Sequence, residues 1–281
     1  MRISRIGLPV LLASALSLGS MTSWAQQAPA TAYEPVRGQA GKDVIWIPTP
    51  EPLVEKMLNA ARVSSEDRVF DLGAGDGIIA ITAAKKFGAQ SVGIEYNPQM
   101  ADFARRKVRE AGMADKVRII TGDIFKEDFS SATVVTLYLL PDLNLRLRPI
   151  LLGMKPGTRV VSHAFTMGDW EPEETLEHET ARAYLWIVPA RIEGDWNLTG
   201  MEGGAARITF RQSLQAIGGL MAQARNTQPL IGARVRGEEI RFQFTGADRA
   251  LHSFTGRVVG NKIRGTVQSG NLQTPVEMTR L

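Results

Sequence analysis

The chain of 281 residues has no cysteine and only three histidines. The lack of cysteine excludes disulfide bonds, thiolate metal sites and a catalytic thiol, but it does not assign the protein to a compartment. The histidines are scattered along the sequence without the paired spacing that metal ligands usually show. We therefore expect no metal site.

Dense runs of basic residues are also missing. Residues 26–190 contain nineteen lysines and arginines against twenty-two acidic residues, whereas residues 191–281 contain twelve against seven. A modest basic excess without clustering is weak support for binding nucleic acid. The charge pattern therefore predicts no nucleic-acid partner, and the sequence gives no indication of the oligomeric state.

The N-terminal apolar run is too short for a typical membrane span of about 20 residues. A basic start is followed by mostly small and apolar residues as far as Met21, and Ser23 and Ala25 stand at the −3 and −1 positions of a cleavage site. This layout predicts a signal peptide at residues 1–25, cleaved after Ala25, and a periplasmic or secreted protein. An uncleaved anchor with membrane or envelope association is one alternative. A cytoplasmic protein translated from Met21 is another.

A glycine-rich turn is the most informative feature that the sequence does contain. Val69–Leu72 is typical of a buried strand and Ile78–Ala84 of the following helix, and Asp71–Gly77 joins them with glycines at alternate positions. Such glycines allow a tight turn and let a ligand approach the backbone without meeting a Cβ. The unpaired N–H groups of the helix start then face that ligand. The pattern predicts a nucleotide-cofactor loop.

The spacing within this turn favours S-adenosylmethionine over a dinucleotide. Dinucleotide-binding turns usually follow G-x-G-x-x-G, with a pyrophosphate above the turn, but here the order is G-x-G-x-G with acids at Asp71 and Asp76. S-adenosylmethionine has no phosphate and carries an ammonium group and a sulfonium. The two acids suit its methionine end, whereas they would repel a pyrophosphate.

Further acids follow the neighbouring strands. Glu95 ends the predicted strand Ser91–Glu95, where such a carboxylate binds ribose hydroxyls. Asp123 follows the predicted strand Val117–Ile120 and can accept a hydrogen bond from the adenine amino group, while Ile124 can pack on the ring. Capping of the next turn is the alternative role for Asp123. Because parallel strands end at one edge of a sheet, we expect these side chains to converge.

Strands and helices alternate through this half of the chain. Asn97-Pro98 is a good helix start, and further apolar strands are predicted at Thr133–Pro141 and Arg159–His163. The alternation predicts an α/β fold with a Rossmann-like, doubly wound and mostly parallel sheet. No seventh strand can be assigned with confidence after Val188.

These motifs resemble those of the class I, or seven-strand, S-adenosylmethionine-dependent methyltransferases. Asp71–Gly77, Glu95 and Asp123 match the cofactor motifs of that superfamily in order and spacing. Ile47–Pro50 and Leu137–Pro141 extend the similarity to the mitochondrial protein-lysine methyltransferases of the adenine nucleotide translocase and of the c-type polypeptide of ATP synthase, with their bacterial relatives. The resemblance covers roughly residues 43 to 188 and implies S-adenosylmethionine as cofactor and a lysine of a protein substrate as methyl acceptor.

The resemblance also implies that Thr49 contacts the methionine carboxylate, although by itself this residue would be interpreted as a helix cap. The predicted cofactor-binding residues are Thr49, Asp71, Gly73, Gly75, Asp76, Gly77, Glu95, Asp123 and Ile124.

Tyr138 and His163 are the predicted catalytic residues. Methyl transfer is an in-line displacement, so the enzyme mainly aligns an amine, here near Tyr138, with the donor methyl group. The amine must be deprotonated, which an aromatic or desolvated pocket favours. A core aromatic is the alternative role for Tyr138, and a purely structural hydrogen bond is the alternative for His163. An O- or N-methyltransferase of small molecules and a non-catalytic envelope module that binds a nucleoside or a protein are the alternative functions.

From Ile192 onwards the pattern changes to short alternating runs with frequent glycine. Apolar residues recur at period two, and glycine pairs such as Gly218-Gly219 and Gly203-Gly204 are interpreted as turns. The pattern predicts a small antiparallel barrel or sandwich with Trp196 in its core. The predicted domains are a signal peptide at 1–25, a flexible linker at 26–42, a methyltransferase domain at 43–190 and an all-β accessory domain at 191–281.

Overall fold

A computed structural model describes residue 1 and residues 33–246 and 248–281. The predicted signal peptide, its cleavage site after Ala25 and the alternative start at Met21 lie outside the described residues, apart from Met1 itself. Among the helices in the described ranges, none has the length and apolar character needed to cross a membrane.

A mixed sheet, seven-stranded within the described ranges, organises residues 51–187. Its strand order is β3-β2-β1-β4-β5-β7-β6. The first five strands in this order, β3-β2-β1-β4-β5, are parallel, and β7 runs antiparallel to both of its neighbours, β5 and β6. This arrangement confirms the predicted Rossmann-like, mostly parallel fold. The elements are α1 (Glu51–Ala60), β1 (Arg68–Leu72), α2 (Ile78–Phe87), β2 (Gln90–Glu95), α3 (Pro98–Glu110), β3 (Val117–Thr121), β4 (Val134–Leu137), α4 (Pro141–Leu152), β5 (Arg159–His163), β6 (Glu174–His178) and β7 (Ala181–Ile187).

Apolar layers cover both faces of this sheet. Helices α1 and α2 pack on one face against Val69, Val134 and Val161. Helix α4 packs on the other face, together with Trp170 and Trp186. Because both faces are buried, the central strands are apolar without alternation, and β4 is buried along its whole length. Because both faces are covered, a ligand can reach this sheet at the carboxyl ends of its parallel strands, where we expect the site residues to converge.

The edge hairpin β6–β7 was not predicted as a pair. Strand β6 has the sequence Glu174–His178 and only Leu176 is buried, so it gives almost no hydrophobic signal. It pairs with β7 through a tight turn rather than through a crossover helix. The strand that the sequence leaves unassigned is therefore β6, which lies before β7 in the sequence and not after Val188.

The C-terminal segment is an antiparallel β-barrel. Strand β10 pairs with β9 on one edge and with β11 and β12 on the other, and this closes the ring β9-β10-β12-β13-β14-β15-β16-β8. β11 and β12 follow each other along one side of the barrel, separated by Leu230 alone. The barrel strands are β8 (Gly194–Thr199), β9 (Ala206–Ser213), β10 (Ala216–Gln223), β11 (Asn226–Pro229), β12 (Ile231–Arg236), β13 (Glu239–Thr245), β14 (Leu251–Val259), β15 (Lys262–Ser269) and β16 (Leu272–Arg280).

Aromatic side chains fill the barrel. Trp196 is fully buried, as predicted, and Phe242 contacts Phe210, Phe244 and Phe254 with ring centroids 4.7–6.2 Å apart. One predicted turn is wrong: Gly218-Gly219 lies inside β10. An ideal Cβ on Gly219 would lie 2.4 Å from the carbonyl oxygen of Thr209, so this glycine permits close strand approach rather than a turn.

The chain before α1 contributes a short folded hairpin, which we call the 38–46 hairpin. Gly38 donates a backbone hydrogen bond to Trp46, Trp46 donates one to Gln39, and Ala40 forms a β-bridge with Ile45. Residues 38–42 of the predicted flexible linker thus belong to this hairpin. The sequence there is rich in small and polar residues, and the contacts that order it come from distant parts of the chain.

Candidate active site

The glycine turn after β1 has the backbone that its sequence implies. Gly73, Gly75 and Gly77 have φ angles of 81°, 54° and 79°, in the left-handed region that favours glycine. An ideal Cβ on Gly75 would lie 2.8 Å from Nε1 of Trp46, and one on Gly73 would lie 2.9 Å from Leu139. The turn therefore requires glycine both for its conformation and for the close approach of the pocket wall.

Asp71 ends β1 as a buried carboxylate. It is 3% exposed, and its Oδ1 accepts a hydrogen bond of 2.8 Å from the hydroxyl of Thr136. Burial raises the pKa of Asp71 to about 7, and repulsion from Asp76 and Glu95 adds to this shift. A buried anion with one neutral hydrogen-bond donor is strongly stabilised by a cation.

The other two acids of this region bind backbone groups. Glu95 accepts hydrogen bonds of 2.9 Å from the N–H groups of Gly75 and Asn97, so it holds the glycine turn in place. Asp76 accepts one of 3.3 Å from Ile78 at the start of α2 and one of 2.8 Å from Lys107. Lys107 therefore already neutralises Asp76, whereas the hydrogen-bond partner of Asp71 among the described residues is only a neutral hydroxyl.

Asp123 has the capping role that the sequence allows as its alternative, and it also pairs with a lysine. Its Oδ1 caps the following turn by accepting a hydrogen bond of 3.0 Å from Phe125. Its Oδ2 lies 3.2 Å from Nζ of Lys42, which also lies 4.2 Å from the centre of the Tyr96 ring. The bond from Phe125 and the ion pair with Lys42 hold the pKa of Asp123 below its usual value. The 38–46 hairpin is thereby tied across the cavity to the end of β3.

A cavity of about 280 Å³ connects these groups. Its walls are the glycine turn, the ends of the parallel strands, the 38–46 hairpin and the start of α4. Gly77 lies behind the wall at the start of α2, with an ideal Cβ 3.4 Å from Ala104. Nine predicted site residues line this one cavity, namely Thr49, Asp71, Gly73, Gly75, Asp76, Glu95, Asp123, Ile124 and Tyr138.

Tyr138 and Phe165 form an aromatic part of the cavity wall, which we call the aromatic end. The ring of Tyr138 lies 3.8 Å from that of His163 and 6.3 Å from that of Phe165, measured between centroids. His163 stands behind Tyr138, and its Nδ1 lies 3.0 Å from the hydroxyl of Thr49. Burial lowers the pKa of His163 to about 4, so the imidazole is neutral at pH 7. Such a low pKa makes His163 a weak proton acceptor and favours a positioning role.

Asn144 fixes the chain beside this aromatic end. Its side chain is fully buried and donates to the hydroxyl of Ser162 and to the carbonyl oxygens of Phe165 and Thr166, at 3.2–3.3 Å. Asp142 lies in the first turn of α4, which begins at Pro141 after the N-cap residue Leu140.

Several cavity residues were missed by sequence reasoning, chiefly Lys42, Trp46, Tyr96 and Phe165. Tyr96 directly follows Glu95 and Phe165 follows His163 by two positions, so proximity to the predicted strand ends was a usable signal. Lys42 and Trp46 lie in or beside the segment assigned to a linker, and no local pattern indicates them.

The residues present fit S-adenosylmethionine. Asp71 offers a buried carboxylate that a cation stabilises, which matches the ammonium group of the methionine end. Glu95 and Asp123 each keep lone pairs for hydroxyl or amino donors beside Ile124 and Tyr96. The acids are unfavourable for a pyrophosphate. The chemistry of the donors thus agrees with the predicted cofactor.

Comparison with known proteins identifies the family. The model of the ANTKMT methyltransferase domain matches residues 71–174. A protein-lysine N-methyltransferase of Saccharolobus islandicus is 42% identical over 151 residues, which cover 52% of this chain and 94% of that protein. The mouse adenine nucleotide translocase lysine N-methyltransferase is 29% identical, over 48% of this chain and 59% of its own length. The chain thus spans little more than half the length of this mouse relative.

A solved structure supports the same assignment. It is the crystal structure of an RNA methyltransferase from Salinibacter ruber in complex with S-adenosyl-L-homocysteine, with 50% sequence identity and a TM-score of 0.51. The match covers 52% of this chain and 96% of that one. Together with the glycine turn and its acids, these similarities show that the chain belongs to the S-adenosylmethionine-dependent methyltransferases, with residues 71–174 similar to the ANTKMT methyltransferase domain.

Proposed function

We propose that this enzyme is a protein-lysine N-methyltransferase that methylates an amine held beside Tyr138. The observation that carries the proposal is that one cavity is lined both by the carboxyl groups of Asp71 and Glu95, here called its acidic end, and by the rings of Tyr138 and Phe165, its aromatic end. The names of the relatives from Saccharolobus islandicus and mouse support the same acceptor.

The acidic end is suited to bind the cofactor. In this proposal Asp71 holds its ammonium group, Glu95 its ribose and Asp123 its adenine, and Thr49 lines the same cavity. S-adenosylmethionine, when bound, supplies an electrophilic methyl group on a positively charged sulfur.

The aromatic end is suited to accept a neutral amine. A lysine side chain enters such a site more easily without its charge, because desolvation and a neighbouring positive charge both lower the pKa of an ammonium group. Tyr138 and Phe165 orient the amine and exclude water, and Thr49 fixes the neutral imidazole of His163 behind them. No residue needs to act as a strong base if the amine loses its proton on entering.

Methylation of intact protein acceptors tests this proposal. The full chain is incubated with labelled S-adenosylmethionine and lysine-rich proteins, and the labelled residue is identified by mass spectrometry. We expect methyl-lysine, strongly reduced in Asp71→Asn because the cofactor binds about a hundredfold more weakly. In Tyr138→Ala we expect cofactor binding to persist while transfer falls about a hundredfold, since the amine is no longer aligned. Labelled arginine, or label on no protein, contradicts the proposal.

RNA is the second candidate acceptor, because the Salinibacter ruber relative is described as an RNA methyltransferase. The acidic balance of residues 26–190 opposes a polyanionic substrate. The same assay with structured RNA, with and without nuclease, separates the two candidates. Nuclease-sensitive label identifies RNA as the acceptor.

A small-molecule acceptor is less well supported. An acceptor pocket closed by the C-terminal segment would favour that alternative, but the residues lining the cavity in the described chain all lie between Gln39 and Phe165. Within the described residues the barrel therefore contributes nothing to the lining of this cavity.

We also propose, on the sequence alone, that residues 1–25 direct export and are removed after Ala25. The support is the basic start, the short apolar run and the small residues before the cleavage site. N-terminal sequencing of the protein purified from cell fractions tests it. A chain that begins at Gln26 in the periplasmic fraction is expected, and a cytoplasmic chain that begins at Met1 or Met21 overturns it.

A further inference from the structure

We propose that the barrel positions the acceptor side of the active site by clamping the loop between β5 and β6. This loop, residues 164–173, is called the acceptor loop. Its clamp is the contact of Glu173 with Arg234 and Arg236 of β12. The inference rests on the proposed function only in assigning the acceptor to the cavity end at Tyr138 and Phe165.

The barrel holds the distal end of the acceptor loop. The side chain of Glu173 is 9% exposed, and its Oε2 lies 2.8 Å from Arg234 and 3.4 Å from Arg236. Gln215, in the turn between β9 and β10, donates a hydrogen bond of 2.8 Å to the carbonyl oxygen of Glu171. Two arginines on one largely buried carboxylate form a charge-assisted contact that an exposed surface pair does not match.

The middle of the loop is fixed by the sheet and by α4. Trp170 is 1% exposed and its carbonyl oxygen accepts a hydrogen bond of 2.7 Å from the indole of Trp186. Leu214, from the same barrel turn as Gln215, packs against the apolar cluster that contains both tryptophans. Arg148 of α4 donates to the carbonyl oxygen of Met167 at 3.0 Å and pairs with Asp169.

The proximal end of the loop enters the cavity. Ala164 has a φ of 66°, a left-handed conformation that a residue other than glycine keeps only when its surroundings hold it. Asn144 binds the carbonyl oxygens of Phe165 and Thr166, and the Phe165 ring lies 6.3 Å from that of Tyr138. An unbroken series of contacts therefore runs from the barrel to the wall of the acceptor pocket.

The donor end of the cavity is built separately. Asp71 and Glu95 lie at the carboxyl ends of β1 and β2 and Asp123 follows β3. These three strands lie on the opposite side of the sheet order from β6 and β7. Loosening the clamp is therefore expected to disturb the amine and spare the cofactor. Reaction rates depend steeply on this alignment, and a displacement of about 1 Å costs up to roughly a hundredfold.

The test compares Glu173→Gln with Glu277→Gln in the full chain. Glu277 pairs with Lys262 and Arg264 on the same barrel, so its variant is a matched loss of two ion pairs away from the loop. In Glu173→Gln we expect kcat for the acceptor to fall about tenfold with the Kd for S-adenosylmethionine within about twofold of wild type. In Glu277→Gln we expect both values to stay at the wild-type level, and Glu173→Asp is expected to recover part of the lost rate.

Hydrogen exchange of peptides from residues 164–173 gives a readout that needs no acceptor. Faster exchange in Glu173→Gln than in wild type or Glu277→Gln supports the clamp, even if wild type methylates no lysine and the proposed function fails. Unchanged exchange in Glu173→Gln overturns the clamp, and so does an equal rate loss in both glutamine variants.

Discussion

The catalytic edge of the sheet, at the carboxyl ends of its parallel strands, contains buried polar side chains, whereas the interior of the barrel is apolar. Among the described residues, the polar and charged residues that are buried as a whole lie between Thr49 and His163, and the barrel contributes none. The barrel core is aliphatic and aromatic, whereas its charges form exposed ion pairs such as Arg207–Asp195. At the catalytic edge, by contrast, Asp71 is buried with a single hydroxyl partner.

This difference separates stability from function within one chain. A packed apolar interior gains free energy from burial. A buried carboxylate and left-handed backbone conformations cost free energy and are tolerated where they serve a ligand. Substitutions in the barrel core should therefore destabilise the fold and spare cofactor binding. Substitutions at the catalytic edge should weaken cofactor binding and stabilise the fold.

The largest effect is expected for Phe242→Ala. Phe242 is 2% exposed and contacts three other phenylalanines, so its truncation leaves a cavity. The free energy of unfolding is expected to fall by about 3–5 kcal/mol. Denaturant unfolding measures it, and Leu251→Ala, at a side chain 54% exposed, is the control with little change. A loss in Phe242→Ala no larger than in the control would show that the barrel does not depend on this core.

Asp71→Asn tests the catalytic edge, where the comparison predicts weaker cofactor binding and a more stable fold. The amide keeps an acceptor for Thr136 but cannot neutralise a cation, so the Kd for S-adenosylmethionine is expected to rise about a hundredfold. The ligand-free protein is expected to become more stable at pH 8, by about 1–2 kcal/mol. Because the folded pKa of Asp71 is about 7, above its ordinary value of 3.8, its contribution to stability is lost as the pH rises through about 7. Thermal unfolding and calorimetric titration measure the two effects, with the exposed Asp142→Asn as control.

The two regions also differ in what their sequences predict. The glycine turn and its acids can be predicted from local sequence, because each residue lies at or just after the end of a strand. The fold of the sheet can be predicted from the alternation of apolar strands and helices. The contacts that complete the site join residues far apart in sequence, such as Lys42 with Asp123 and Thr49 with His163. No spacing rule indicates such pairs. In the barrel, apolar residues at every second position predict the strands. The sequence alone does not distinguish the glycine pair inside β10 from a turn, because its role depends on close contact with β9.

The pH dependence of cofactor binding should sharpen the assignment of Asp71. Only the ionised carboxylate binds a cation well, and a pKa of about 7 means that acidification from pH 8 to pH 6 protonates most of it. The Kd for S-adenosylmethionine is then expected to rise about tenfold over this range. His163 stays neutral throughout because its pKa is about 4. Titration calorimetry at several pH values tests this, and a wild-type Kd as flat as that of Asp71→Asn would exclude Asp71 as the titrating group.

The smallest effect is expected for Lys42→Met, which removes the tie between the 38–46 hairpin and Asp123. Lys42 and Lys86 are both 40% exposed and both bind carboxylates, but Lys86 pairs with Glu51 and Glu55. Lys86→Met is therefore a matched control. Each oxygen of Asp123 has a second lone pair, so Lys42 and an adenine amino group can bind it together.

We thus expect Lys42→Met to raise the Kd for S-adenosylmethionine about threefold at low salt, with little effect at high salt, where exposed pairs are screened. Lys86→Met should leave the Kd at the wild-type value under both conditions. Tighter binding by Lys42→Met would mean that Lys42 competes with the cofactor for Asp123. In that case the 38–46 hairpin would oppose cofactor binding, and its pairing with Asp123 would control the access of S-adenosylmethionine to the catalytic edge.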